Sequence, residues 1–256
     1  MKRTALLVVL CLSVSISGCS MIPGERSDTE SAQVAPGVTE SGIEDSDAMI
    51  RAHGDYLENH SFTARRTETI TTENGTVIEE RRTRTAVAEG FSAYRFELNH
   101  SRGNESLLDV TYYFDGERGW QASWTDNGRE VESFSAENRL SEFVTRSTQT
   151  DRLRPILESF TTTVSGSTEL NGKTLYYVRS TDFHNRYGFL GPRQPVGELQ
   201  YAEFSASVDS EGFVHEYRLL QRGPGNATGE TLTVERRVRY TDVGETTIER
   251  PEWAGE

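Results

Sequence analysis

Residues 153–183 read LRPILESFTTTVSGSTELNGKTLYYVRSTDF, and a change of periodicity inside this stretch decides the fold. Leu153, Ile156, Leu157 and Phe160 recur at three- and four-residue steps, with Pro155 where a first helical turn tolerates it. From Thr161 the pattern becomes that of strands. Residues 161–170 and 173–183 flank Asn171-Gly172, a pair that favours positive φ and so a tight hairpin. A helix therefore hands over directly to an antiparallel pair.

Upstream, Leu140, Phe143 and Val144 form a second apolar patch, and the polar TRSTQTD separates the two patches. The spacing predicts two helices within 136–160. Six strand signals precede them, over 62–72, 76–89, 91–99, 107–114, 120–125 and 129–134, divided by turn signals such as Asn74-Gly75, Asp115-Gly116 and Asn127-Gly128. Downstream, 198–209, 213–222 and 231–243 add three more, the last alternating through Leu232, Val234, Val238 and Tyr240. A leading helix is expected over 46–59, capped from Asp45-Ser46-Asp47, with Met49, Ile50, His53, Tyr56 and Leu57 on its apolar side. The sum is a mainly β (α+β) domain of about eleven antiparallel strands with a helix before them and a helical insert between the sixth and seventh. Apolar/polar alternation leaves one face of such a sheet to solvent. The sheet must curl, with the helices on its concave apolar face.

The N-terminal residues MKRTALLVVLCLSVSISGCS have the three parts of an export signal: Lys2 and Arg3, an apolar run too short to span a bilayer, then small residues. Ile16-Ser17-Gly18-Cys19 resembles the lipobox of bacterial and archaeal lipoproteins, which implies cleavage before Cys19 and lipid on its thiol. The expected layout is a signal peptide over 1–18, a lipidated, flexible, acidic tether over 19–46, a domain over 47–250 and a tail over 251–256. Cys11 leaves with the signal, so the mature domain has neither disulfides nor thiolate metal sites. The export route, general secretory or twin-arginine, stays open.

Net charge is −13, and loss of Lys2 and Arg3 takes it to −15. Two lysines against 25 arginines, with abundant Asp, Glu and Thr, resemble the protein composition of haloarchaea, in which carboxylates maintain solubility in brine. A nucleic-acid partner is not expected, because phosphate backbones require a basic surface.

Three phrases, Tyr113-Phe114-Asp115-Gly116, Leu170-Asn171-Gly172-Lys173-Thr174-Leu175-Tyr176-Tyr177-Val178 and Val208-Asp209-Ser210-Glu211-Gly212, fall between long strands. Together with the strand–helix–strand order they give a chain that resembles the lipoprotein-carrier fold, the group of LolA, LolB, RseB and the LppX- and LprG-type lipoproteins. The resemblance covers about 47–243. It implies an incomplete β-barrel whose cavity, under a helical lid, receives a lipid or another hydrophobic ligand, with no cofactor.

Such a cavity is expected to be lined by Tyr94, Phe96, Leu98, Val110, Tyr112, Phe114, Leu140, Phe143, Leu157 and Phe160. The same residues equally suit a filled core. The alternative function is then an envelope protein-interaction or sensor module of RseB-like character, docking through Tyr187, Phe189 and Leu190 in the aromatic loop 183–195. No catalytic residues are expected: Ser165-Gly166-Ser167 lies in a strand-like run, without the turn a nucleophile elbow requires. No metal site is expected either. His53, His60, His100, His184 and His215 are isolated, and His53 and His60 read as surface residues of a helix end. Sequons at Asn59, Asn74, Asn99, Asn104 and Asn226 fall at predicted turns or strand ends, where N-glycans are accommodated.

Overall fold

Residues 31–125, 128–135, 140–185 and 195–255 are described by the computed structural model. Three short strands, β1 (Gln33–Ala35), β2 (Val38–Thr39) and β3 (Gly42–Ile43), precede helix α1 (Ser46–Glu58). A meander follows: β4 (Phe62–Thr72), β5 (Val77–Val87), β6 (Tyr94–Arg102), β7 (Glu105–Phe114), β8 (Arg118–Thr125) and β9 (Gly128–Ser135). Helices α2 (Leu140–Thr148) and α3 (Thr150–Leu157) lead into a second meander: β10 (Phe160–Leu170), β11 (Lys173–Phe183), β12 (Tyr201–Asp209), β13 (Val214–Pro224) and β14 (Thr231–Thr241).

Strands β4 to β14 form one 11-stranded antiparallel sheet, curved and unclosed. Sequence neighbours pair throughout each meander, and the halves join where the last strand meets the first, with Thr241 opposite Thr63 and Leu232 opposite Thr72. Strands β9 and β10 are thus the two edges, and α2 and α3 carry the chain from one edge to the other. Turn chemistry sets the hairpins. Asn171 and Gly172 both take positive φ, 52° and 77°, between Leu170 and its partner Lys173. The side chain of Asp209 accepts the backbone N–H groups of Glu211 and Phe213 at 3.0 Å, and Asp115 does the same for Glu117 and Arg118.

One face carries the main core. Phe62, Phe204, Val208, Tyr217 and Leu219 of the sheet are fully buried with Met49 and Leu57 of α1 and Leu153 and Ile156 of α3. Asp45 caps α1 by accepting from the N–H of Ala48 at 2.8 Å. His53 is wholly buried, as its place on the apolar side of the helix suggested and against the surface reading of a helix end. Its Nδ1 accepts the N–H of Val214 (3.3 Å) and its Nε2–H donates to the carbonyl of Thr148 (3.2 Å), joining α1 to β13 and to the α2–α3 junction. Burial lowers its pKa to about 4 and keeps the ring neutral.

Both flanks differ from expectation. Residues 31–45, expected to be tether from their Ser, Thr, Gly and acid content, are folded: Ala35 and Val38 enter the main core and Ile43 N–H donates to Thr162 Oγ1 at 2.8 Å. Gly42 (φ 138°) lies so near β10 that a Cβ would stand 2.2 Å from the carbonyl oxygen of Thr162. At the other end, Trp253 and Ala254, expected to belong to a tail, are buried against Tyr113, Trp120 and Ala122 in a second core cluster. Register places these three on the face opposite the main core, where Arg250 stacks 5.1 Å from the Trp120 ring.

Candidate functional site: an arginine-lined cavity beneath the helices

The central strand of the sheet, β4, and its neighbour β14 carry charge on the core face. In β14 the buried positions are Leu232, Val234, Arg236, Val238 and Tyr240, an unbroken alternation with a guanidinium at its centre. Arg236 stands opposite Glu68 of β4, which stands opposite Arg81 of β5, so three charged residues form one row across adjacent strands. Arg66, two residues before Glu68, shares that face.

Glu68 binds both neighbours through one oxygen. Its Oε2 accepts from Arg66 Nη2 at 2.7 Å and from Arg236 Nε at 2.9 Å, with Arg236 Nη2 closer still. Burial alone would raise the carboxyl's pKa, but the two guanidiniums outweigh it and hold Glu68 at about 2. Arg66 is pushed down to about 10, first by burial and then by Arg236, and remains charged at neutral pH. Arg152 of α3 is lowered by the same two causes.

Above this row lie Arg146 on α2, Gln149 at the helix junction and Arg152 on α3, and between them and the sheet is a cavity of about 380 Å³. Phe96, Leu98 and Val234 supply apolar wall, and Pro195 and Val196 close one side. Five arginines line this space against one carboxylate. Among the described residues, several buried donors of its lining side chains have no hydrogen-bond partner: Arg66 Nε, Arg81 Nε, Arg236 Nη1 and Gln221 Nε2; the hydroxyl of buried Tyr217 has none either. Two other depressions, of about 670 and 430 Å³, are bordered by arginines of which some are paired, Arg218 with Glu235 and Arg84 with Glu97.

The ten residues expected to line an apolar cavity fall into groups. Phe96 and Leu98 do line the cavity. Tyr94, Phe96 and Tyr112 surround Phe143 of α2, with ring centroids 3.8, 5.7 and 5.6 Å away, and Phe114 stacks on Tyr94 at 5.2 Å. The space between Phe143 and the sheet at Val87 and Tyr94 has no open volume. Leu157 and Phe160 are core residues of the other half, Phe160 lying 6.0 Å from the ring of Phe204. Val110 is buried opposite Leu98, and the side chain of Leu140 lies outside the described residues. So do Tyr187, Phe189 and Leu190 of the aromatic loop, and Cys19 with the whole of 1–30.

All five sequon asparagines are exposed, though the amide nitrogens of Asn59 and Asn226 already donate to the carbonyls of Asp55 and Val196. Among the described residues, no group of three or more His, Cys, Asp or Glu is placed to hold a metal ion, and no helix is long and apolar enough to cross a membrane.

The arginines went unread because hydropathy skips them. A signal was nonetheless present: Arg236 falls between Val234 and Val238, in the inward slot of an alternation whose other members are apolar, and Arg66 and Glu68 fill inward slots between Ala64 and Ile70.

The fold and the cavity define a class: an open antiparallel sheet with helices over its core face and a cationic chamber between them. The chain belongs to the family of unknown function DUF7537, whose model matches residues 3–256. Among curated proteins none is significantly similar. Among solved structures, LprF from Mycobacterium bovis is similar over 84% of this chain and 100% of its own, at 10% identity and a TM-score of 0.43. MucB is similar over 81% of this chain and 60% of its own, at 15% identity and a TM-score of 0.32. A putative outer membrane lipoprotein-sorting protein domain from Vibrio parahaemolyticus is similar over 81% and 96% of the two chains, at 8% identity and a TM-score of 0.26.

Proposed function

We propose that the chain is a non-enzymatic binding module, anchored by lipid on Cys19 to the outer face of a cell membrane, that takes a lipid or other partly hydrophobic ligand between its sheet and its helices. The observation that carries this reading is the chamber itself. Its volume of about 380 Å³ suits a small-molecule site, and it combines apolar wall with a few convergent polar groups. The described lining offers guanidiniums, amides, two threonine hydroxyls and one carboxylate that two guanidiniums already occupy, a set suited to holding a ligand. External placement would also leave Asn74, Asn99 and Asn104 free to carry glycans.

The test is native mass spectrometry of the full-length protein, folded in salt and released from mild detergent, with displacement of a neutral apolar dye alongside. The expected result is a co-purifying ligand of defined mass whose removal opens a dye site. Protein that carries no ligand and takes no dye overturns the reading and leaves the interaction module with a filled core.

A further inference from the structure

We propose that the chamber is an oxyanion site, in which Arg66, Arg81, Arg236 and Gln221 bind a phosphate or sulfate group while Phe96 and Leu98 contact whatever that group is attached to. The inference deepens the binding-module reading and rests on it.

Charge is the first ground. The whole chain has 40 acidic residues against 27 lysines and arginines, yet Arg66, Arg81, Arg152 and Arg236 line the chamber with one carboxylate, Glu68. Glu68 spends one oxygen on two of those arginines, so the buried set keeps a positive excess. Buried charge persists where something of opposite sign compensates it.

The unused donors are the second ground. Arg236 and Gln221 are 4% and 1% exposed, both line the chamber, and each has a buried N–H group with no acceptor among the described residues. Arg66 Nε and Arg81 Nε are in the same state. Natural structures rarely leave several such donors together without water, an ion or a ligand to take them up. Guanidiniums are the donors of choice for phosphate and sulfate, because their planar fork matches two oxygens at once.

Position is the third ground. The donors come from β4, β5, β13 and β14, adjacent strands in fixed register, so they converge before any ligand arrives. Arg152 and Arg146 close over them from the helices. A soluble ion and the headgroup of an amphiphile share this oxyanion chemistry.

The experiment is a titration of the full-length protein at constant ionic strength, followed by thermal midpoint and calorimetry. The probes are inorganic phosphate, dihexanoyl phosphatidic acid and, as an uncharged amphiphile, octyl glucoside. The expected result is stabilisation by phosphatidic acid or phosphate. Binding should be weakened about tenfold or more in R81Q and R236Q, through loss of a charge-assisted hydrogen bond, and unchanged in R237Q on the opposite face. R81Q is the decisive variant, because Arg81 has no carboxylate partner among the described residues and its removal should spare the fold even if R236Q unfolds. Binding of phosphatidic acid but not phosphate identifies a headgroup; tight binding of phosphate alone identifies a soluble anion and removes the hydrophobic-ligand reading. Octyl glucoside binding as tightly as phosphatidic acid, with R81Q unaffected, overturns the oxyanion site and spares the binding module. No binding of any probe overturns both.

Discussion

His53 and Glu68 are two residues whose surroundings fix opposite charge states, and both give pH-dependent outcomes. His53 has a folded pKa of about 4 against an ordinary 6.5. Above pH ~6.5 neither the folded nor the unfolded ring is protonated, so its contribution is fully present. As pH falls from ~6.5 towards 4, the unfolded chain gains a proton that the fold refuses, and stability declines by about 2 kcal/mol between pH 7 and pH 5. Glu68, held at about 2, contributes fully above the ordinary carboxyl value of 4.5, and that contribution is lost as pH falls from there through its folded pKa. Urea midpoints at pH 7 and pH 5 should therefore drop steeply in the wild type and much less in H53Q, which starts lower; equal slopes would contradict the burial argument. For Glu68 itself, E68Q leaves Arg66 and Arg236 without their shared counter-charge and should cost about 3 kcal/mol in denaturant unfolding. Phosphate should restore part of that loss in E68Q, since it supplies the missing negative charge.

At the scale of elements, the two flanks matter more than their composition suggests. Trp253 seals the outer cluster over Trp120 and Tyr113, so W253A should destabilise by about 3 kcal/mol and raise the fluorescence response of Trp120 to quenchers. An unchanged unfolding midpoint would show the segment to be dispensable. Gly42→Ala sets a Cβ against the Thr162 carbonyl at a φ that side chains avoid, and should open 31–45 to limited proteolysis at protease levels that spare the wild type. Strands and hairpins were legible in the sequence because their signals repeat: alternation over ten or so residues and Asn-Gly or Asp-x-x-Gly turns at fixed offsets. Residues 31–45 were not, because their burial rests on a handful of small side chains, Ala35, Val38 and Gly42, inside a polar context. The site was half legible. Phe96 and Leu98 follow from alternation, whereas inward Arg66, Arg81 and Arg236 require the register between β14, β4 and β5, a long-range pairing that local pattern does not carry.

For the whole molecule, topology explains why a chamber exists. Pairing the last strand with the first puts β14 and β4 in the interior of the sheet and leaves β9 and β10 as edges that only a crossing connection can join. That connection, α2 and α3, is short and amphipathic. It is anchored by Phe143 at one end and by Leu153 and Ile156 at the other, while its middle spans the arginine row without filling it. The most direct measurement of that arrangement is the Nε–H spectrum of 15N-arginine-labelled protein during titration with dihexanoyl phosphatidic acid, with R66Q and R81Q assigning the two resonances. The predicted result is saturable movement of the Arg66 and Arg81 Nε–H signals as they gain an acceptor, with the outer-face Arg237 unmoved. Signals from Arg66 and Arg81 that stay still while the amphiphile binds elsewhere, or that move no more than Arg237, would contradict it.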